Sequence, residues 1–245
     1  MHIIKLDAID STNSYIKKLS NEIAIESYTV VVAKHQTKGR GQLGTSWLSD
    51  KGKNLTFSIL IKFKDFKVQN QFYLSMAVSL GILASIKNGI SSPLKIKWPN
   101  DILSVNNKVA GILIENILRG NFIKQSVIGV GLNVHQKIFP ENIENVTSLK
   151  NISGNNYDMD ALLRHLIKMI KFYIRYIEKK EFKTLKNLYI NSLYNYNKPT
   201  MFKDKKGKVF LGKIIDISES GRLVVELENK KTCKFNLKEI KFASN

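Results

Sequence analysis

The sequence is poor in cysteine and contains no long apolar run. Its single cysteine, Cys233, excludes an internal disulfide and is typical of a protein in a reducing compartment. Cys233 lies in a lysine-rich, strand-like stretch, which predicts a buried or edge residue rather than a nucleophile. No run reaches the roughly 18 apolar residues that suggest a membrane span, and the first residues show no signal-peptide pattern. These absences predict a cytoplasmic protein without a membrane segment.

Acidic residues and arginine are also scarce. The 20 acidic residues against 39 lysines and arginines leave a formal net charge of +19 at pH 7, which can indicate nucleic-acid binding. Only five of the basic residues are arginine, however, and the lysines are spread along the whole chain. Surfaces that read bases more often cluster arginine, so we predict no specific DNA binding. A non-enzymatic basic nucleic-acid-binding protein is kept as the alternative from a different class.

The chain is long enough for a packed core, since 43% of its 245 residues are hydrophobic. Capping residues and apolar residues at three- and four-residue steps predict helices that begin after Ser11 and over 69–87, 158–177 and 181–193. Alternating or β-branched runs predict strands at 30–33, 54–61, 94–98, 102–105, 109–117 and 123–130. We therefore predict an α+β fold with a mixed or antiparallel sheet and flanking helices.

The pattern changes near Lys198. From there, short alternating strands and turns follow one another to the end, which predicts a small β-barrel. A barrel of this size would be only marginally stable alone, so we expect it to dock on the larger unit. The sequence thus predicts one large domain over 1–197 and a small C-terminal domain over 198–245.

The first candidate site is a glycine loop over Gly39–Trp47, with the sequence GRGQLGTSW. Glycines let a backbone approach a ligand closely, and successive N–H groups in such a turn bind anions. Arg40 can hold a carboxylate or phosphate through two parallel hydrogen bonds, and Trp47 can stack on a flat ring. The alternative is a surface loop followed by a core tryptophan. The glycines, Arg40 and Trp47 together follow directly after a predicted strand. This combination indicates a site for a carboxylate and a nucleotide.

Two further motifs carry polar residues. The KWPND motif, Lys97–Asp101, ends a predicted strand, and Lys108 follows across a predicted hairpin that could return it to the end of the motif. Gly129 and Gly131 flank a valine, which lets a chain segment or a ligand lie against the strand. Asn133 could then donate or accept a hydrogen bond there. Taken singly, these motifs also fit ordinary turns with solvated lysines.

In their order along the chain, five motifs resemble those of the biotin–protein ligase family. They are Ser11-Thr12-Asn13, the glycine loop, the KWPND motif, Lys108 with Gly111-Ile112-Leu113, and GVGLN over 129–133. They cover about residues 5–135, and the predicted small barrel is similar to the family's SH3-like C-terminal domain. Because the first motif begins at residue 11, we expect a short form without the N-terminal DNA-binding domain that some members carry.

The resemblance implies an AMP-forming enzyme, a biotin–[acetyl-CoA-carboxylase] ligase, whose catalytic domain is the unit over 1–197. Biotin and Mg-ATP would give biotinyl-5′-AMP and pyrophosphate, and a lysine of a biotin carboxyl carrier domain would then attack the mixed anhydride. ATP and Mg²⁺ are thus the implied cofactors and biotin the substrate, with Mg²⁺ held mainly by phosphates and no protein metal site. The carrier domain of a carboxylase is the implied protein partner, and a homodimer fits the family.

Three residues are implied to act in catalysis. Lys108 would bridge the biotin carboxylate and the phosphate, Arg40 would bind the same region, and Asp101 would orient the incoming lysine or help take its proton. The glycine loop departs from the family pattern, since Gln42 and Thr45 stand where many members have arginine. Our hypothesis is that Arg40 and Lys108 carry more of the phosphate neutralisation here.

A larger set is implied to bind biotin or the adenylate. Ser11, Thr12 and Gln36 would meet the ureido ring, Gly111 would line the biotin pocket, and Trp47 would stack on adenine. The full set is Ser11, Thr12, Asn13, Gln36, Gly39, Gly41, Gln42, Trp47, Lys97, Asn100, Gly111, Ile112, Gly129, Gly131 and Asn133. The nearest alternative is a lipoate–protein ligase, which shares the fold and the chemistry. The arginine-rich, glycine-repeat motif typical of that family is missing from this sequence.

Overall fold

A computed structural model describes residues 2–243, which form two sheets and five α-helices. In chain order the elements are β1 (Ile3–Ile9), α1 (Thr12–Glu22), β2 (Thr29–Gln36), β3 (Asn54–Lys62), α2 (Gln71–Ile86), β4 (Leu94–Lys97), β5 (Asp101–Ser104), β6 (Asn107–Arg119), β7 (Phe122–Asn133), α3 (Leu149–Ser153), α4 (Met159–Glu178), α5 (Phe182–Asn191), β8 (Pro199–Asp204), β9 (Val209–Ile217), β10 (Leu223–Leu227), β11 (Thr232–Phe235) and β12 (Ile240–Phe242). Within this part of the chain, none of the helices combines the length and the apolar character that crossing a membrane requires.

The large sheet has seven strands in the order β1-β2-β3-β7-β6-β5-β4. Strands β1 and β2 are parallel and joined through α1, because a parallel pair needs a crossover connection. The other neighbouring pairs are antiparallel, so the predicted α+β class with a mixed or antiparallel sheet is confirmed. The sequence did not predict β1, which lies at the edge of the sheet. Its side chains are exposed or half-buried, so they give a weak alternation signal.

The smaller sheet has five antiparallel strands in the order β11-β10-β9-β8-β12. Phe202 is fully buried, and its ring centroid lies 5.8 Å from that of Phe210 and 5.3 Å from that of Phe242. Cys233 lies on the edge strand β11, in agreement with the sequence prediction. The SH3-like character of this unit and the division at 197/198 stay predictions.

The centre of the large sheet is covered on both faces, and this brings polar side chains into the interior. On one face, α2 packs beside α4, and α2 is buried on almost every side rather than amphipathic as its spacing had suggested. On the other face, Ile16 of α1 packs on Leu60 and its neighbours. Thr56 and Ser58 lie on the same face of β3 as Leu60 and are also buried. The candidate site lies on this same face, beyond the N-terminus of α1.

The smaller sheet docks on the large unit through the KWPND motif. The indole Nε1 of Trp98 donates to the carbonyl of Gly221 at 2.9 Å, in a buried position. Gly221 has a φ of 83° and passes so close to Phe72 that an added Cβ would overlap that ring. The nearby hydroxyl of Tyr194 lies 2.8 Å from Oδ1 of Asn106, in an exposed position. The motif therefore joins the candidate site to the C-terminal unit.

Replacing Trp98 by phenylalanine is expected to lower the free energy of unfolding by about 1–3 kcal/mol, because the buried Gly221 carbonyl would lose its donor. Urea unfolding measures the change. Tyr194→Phe is the matched control, since it removes an exposed hydrogen bond nearby and should stay within about 0.5 kcal/mol of the parent. Equal unfolding midpoints for Trp98→Phe and the parent would show that this bond does not stabilise the docked arrangement.

Candidate active site

A cavity of about 290 Å³ lies between the glycine loop, the N-terminus of α1 and strands β6 and β7. Most of the residues implied by the sequence line it together. They are Ser11, Thr12, Asn13, Gln36, Arg40, Gly41, Gln42, Trp47, Asn100, Asp101, Lys108, Gly111, Ile112, Gly129 and Gly131. Thr45, Ser46, Phe57, Leu113 and Val130 complete the lining. We call this space the first cavity.

A second cavity of about 270 Å³ adjoins the first. The two share Ser46, Trp47, Asp101 and Lys108, so these side chains form the junction between them. Lys97 and Asn133 line the second cavity and not the first. The structure therefore divides the implied residues between two connected spaces.

Three of the implied residues have clear structural partners. The amide of Asn100 donates to the carbonyl of Ile112 at 2.8 Å and thereby ties the motif to β6. The buried amide of Asn133 donates to the carbonyl of Thr147 at 3.0 Å. The ammonium of Lys97 lies 5.2 Å from the ring centroid of Phe242, at the junction with the smaller sheet. These contacts give each residue a structural role in addition to any ligand contact.

The glycine loop is closed by its own hydrogen bonds. The Trp47 N–H donates to the carbonyl of Gly39 at 3.0 Å, and the Gly41 N–H donates to the carbonyl of Thr45 at 2.6 Å. The Thr45 hydroxyl donates to the carbonyl of Gln42 at 2.8 Å. Thr45 therefore contributes an internal hydrogen bond to the loop. Gly39 lines neither cavity but anchors the loop at its base.

The indole of Trp47 rests on a floor made by two glycines. Gly111 and Gly131 are paired on β6 and β7. A Cβ added at Gly131 would overlap the indole, and one added at Gly111 would lie 3.1 Å from its Cζ3. The ammonium of Lys108 lies 5.6 Å from the indole ring centroid, within cation–π range. Gly131 has no room for a side chain because the ring occupies that space, and Gly111 has little.

Both candidate cations are paired with carboxylates. Lys108 Nζ lies 2.7 Å from Asp101 Oδ1, so the hairpin returns Lys108 to the end of the motif as predicted. Arg40 Nη2 lies 2.7 Å from Glu115 Oε2, across 75 residues of sequence. The Lys108–Asp101 pair lies at the junction of the cavities, where an anionic ligand can contact the Lys108 ammonium.

The far end of the first cavity is a continuous polar network. Gln36 Oε1 accepts hydrogen bonds from the Thr12 N–H at 2.8 Å and from the Thr12 hydroxyl at 3.0 Å. The Ser58 hydroxyl lies 2.8 Å from Thr12 Oγ1 and 2.6 Å from Asn13 Oδ1. The Asn13 amide donates to Glu115 Oε2 at 2.8 Å. Gln36 thus uses its carbonyl oxygen within the protein, which leaves the N–H donors of its amide for other partners.

Sequence reasoning missed Ser58 and Glu115. A signal for Glu115 was available, because strand alternation puts positions 111, 113 and 115 of β6 on one face, and Gly111 was already implied. Ser58 carried no such signal, since a serine in an alternating strand is ordinarily a solvent-facing residue. Only the cover supplied by α1 makes it an interior group.

Two connected cavities that share a lysine and a tryptophan suit a protein that activates a carboxylic acid with a nucleotide. Residues 6–133 match the model of the Biotin/lipoate A/B protein ligase family, and the chain belongs to that family. The resemblance to biotin–protein ligases is thereby confirmed at the level of the family.

Individual relatives agree with this assignment. The chain is similar to the Bifunctional ligase/repressor BirA of Bacillus spizizenii, with 29% identity over 93% of this chain and 70% of that protein. It is 34% identical to the Biotin--[acetyl-CoA-carboxylase] ligase of Mycobacterium tuberculosis over 58% of this chain and 52% of that protein. The fold is similar to that of a biotin protein ligase from Aquifex aeolicus in complex with biotin and ATP. That comparison gives a TM-score of 0.81 and 28% identity over 99% of both chains.

Proposed function

We propose that this protein is a biotin–protein ligase, which activates biotin with ATP and transfers it to a lysine of a biotin carboxyl carrier domain. The observation that carries the proposal is the junction of two cavities at Lys108 and Trp47. The first cavity is lined by polar groups of Thr12 and Gln36, which suit a ureido ring, and by the cations Arg40 and Lys108, which suit a carboxylate. The second cavity supplies adjoining space for a nucleotide. Relatives and structural neighbours named as biotin ligases support the same activity.

In the first half-reaction, the ring of biotin would lie against Thr12 and Gln36. Its carboxylate would then extend toward the Lys108 ammonium and the Arg40 guanidinium. A carboxylate oxygen attacks the α-phosphorus of ATP, a new C(O)–O–P bond forms, and the bond to pyrophosphate breaks. Lys108 and Arg40 stabilise the negative charge that develops on the phosphoryl oxygens, without a reorganisation of solvent.

Magnesium would accompany the phosphates of ATP. Asp101 and Glu115 are each paired with a cation, and within residues 2–243 no three His, Cys, Asp or Glu side chains gather as a metal-binding group. These residues fit an ion held mainly by substrate phosphates and water, with Asp101 as the carboxylate that both cavities share. When bound, the ion would neutralise phosphate charge.

In the second half-reaction, the amine of the carrier lysine attacks the carbonyl carbon of biotinyl-5′-AMP. An amide bond forms, AMP leaves, and the amine loses a proton. Asp101 lies at the junction, where its carboxylate can orient the amine and take that proton. The carrier domain, a cytoplasmic location, the absence of specific DNA binding and a homodimer belong to this proposal.

A lipoate–protein ligase is the second candidate function, because the family model spans both acids. We expect ATP–pyrophosphate exchange to depend on biotin and to stay at background with lipoate. The Gln36 oxygen is bonded to Thr12, which leaves the N–H donors of the Gln36 amide for a ureido carbonyl, and a dithiolane has no such acceptor. Exchange with lipoate alone would overturn the choice of acid. Tight, steeply salt-dependent binding of nucleic acid with no exchange activity would favour the non-enzymatic alternative.

A further inference from the structure

We infer that Glu115 is a positioning residue that holds the Arg40 guanidinium over the first cavity and couples it to Asn13. This inference rests on the proposed function, because it concerns the same acid-activation step. One oxygen carries the whole arrangement: Glu115 Oε2 accepts from Arg40 Nη2 at 2.7 Å and from Asn13 Nδ2 at 2.8 Å. The carboxylate thus joins the cation of the glycine loop to the polar network at the ring end.

Glu115 lies on a more rigid element than Arg40, the residue that it positions. It lies on β6, paired with Val127 on β7, and its side chain is 24% exposed. Arg40 lies on a glycine loop, and its side chain is 43% exposed. A long side chain on such a loop loses rotamer freedom when it is held in one place. An anchor on a strand that is hydrogen-bonded to β7 therefore supplies the precision that the loop itself lacks.

The other partner of Glu115 is also held in place. Asn13 is 3% exposed, and its Oδ1 lies 2.6 Å from the Ser58 hydroxyl. A Cβ added at Gly129 would overlap the Asn13 amide, so the amide has little room to turn. Glu115 therefore accepts a hydrogen bond from an Asn13 side chain whose orientation is fixed by Ser58. The chain of contacts runs from buried strand residues to the loop cation.

The Glu115 contact leaves Arg40 able to bind a ligand. A guanidinium has five N–H donors, and the pair with Glu115 engages Nη2. The remaining donors can face a carboxylate or a phosphate while Glu115 stays in place. Glu115 is thus expected to aim Arg40 rather than to compete with substrate for it.

The test is the variant Glu115→Gln, which keeps the size of the side chain and a carbonyl acceptor for Asn13 but removes the charge that holds Arg40. In steady-state ATP–pyrophosphate exchange we expect kcat to fall by about 10-fold, while KM for biotin changes by less than about threefold. In an Arg40→Ala background, the same substitution should change kcat by less than about twofold, since nothing is left to position. Asp65→Asn is the matched control, because it removes a carboxylate from an exposed ion pair outside the site.

Two outcomes would overturn the inference. The first is a wild-type kcat for Glu115→Gln. The second is an equal loss of kcat in the parent and Arg40→Ala backgrounds, which would mean that Glu115 supports the fold and does not position Arg40. Failure of the proposed function looks different, because the parent protein itself would then show no biotin-dependent exchange. In that case, hydrogen–deuterium exchange of residues 39–47 tests whether Glu115 anchors the glycine loop. Faster exchange in Glu115→Gln than in the parent supports the anchor, and equal exchange refutes it.

Discussion

Replacing Lys108 by alanine is expected to lower kcat for biotin-dependent ATP–pyrophosphate exchange by about 100- to 1,000-fold. Lys108 lies at the junction of the two cavities, 2.7 Å from Asp101. Loss of one preorganised donor to a developing oxyanion has an effect of about this size. The substitution also leaves the Asp101 carboxylate, whose side chain is 25% exposed, without its cation beside two incoming anions. Single-turnover formation of biotinyl-5′-AMP would separate this chemical step from substrate binding.

A matched lysine shows whether the effect belongs to the site. Lys34 forms an ion pair with Asp7 at 2.8 Å, but both side chains are strongly exposed and lie outside the first and second cavities. Lys34→Ala should therefore leave kcat unchanged within about twofold, because exposed ion pairs contribute little. If Lys108→Ala retained the parental rate while the control behaved as expected, Lys108 would have no part in the chemistry.

Replacing Gly131 by alanine is expected to lower kcat/KM for biotin by about 100-fold. The new Cβ would overlap the Trp47 indole, which lies on the floor made by Gly111 and Gly131. The ring must then move, and the loop that carries Arg40 must move with it. A displacement of about 1 Å in a positioning element can cost this much activity. Pyrophosphate exchange measures the loss, and urea unfolding checks that the strand itself still folds.

The cause of this loss can be isolated in a Trp47→Ala background. There the space above residue 131 is open, so Gly131→Ala should change kcat/KM by less than about twofold relative to Trp47→Ala alone. An equal 100-fold loss in both backgrounds would place the effect in the strand, not in the contact with the indole. Full activity of Gly131→Ala in the parent would show that the loop tolerates a displaced ring.

Local patterns predicted most of the fold and much of the candidate site. The helix that begins after Ser11, the strand over 54–61 and the hairpin that brings Lys108 to Asp101 are present, because each depends on capping, alternation or a short turn. The edge strand β1 and the short helix α3 were missed. Strand β1 pairs with β2 across the whole of α1, and α3 spans only Leu149–Ser153, so neither has a strong periodic signal.

The sequence by itself determined the α+β class, the glycine loop, the order of the motifs and the membership of the family. It could do so because each motif is a contiguous set of residues whose chemistry is evident from its own members. Tertiary structure alone decided which groups meet: Glu115 with Arg40 across 75 residues, Ser58 with Asn13 across 45, and Trp47 with Gly131. Those contacts depend on sheet register and on the cover of α1, and both are set by long-range packing.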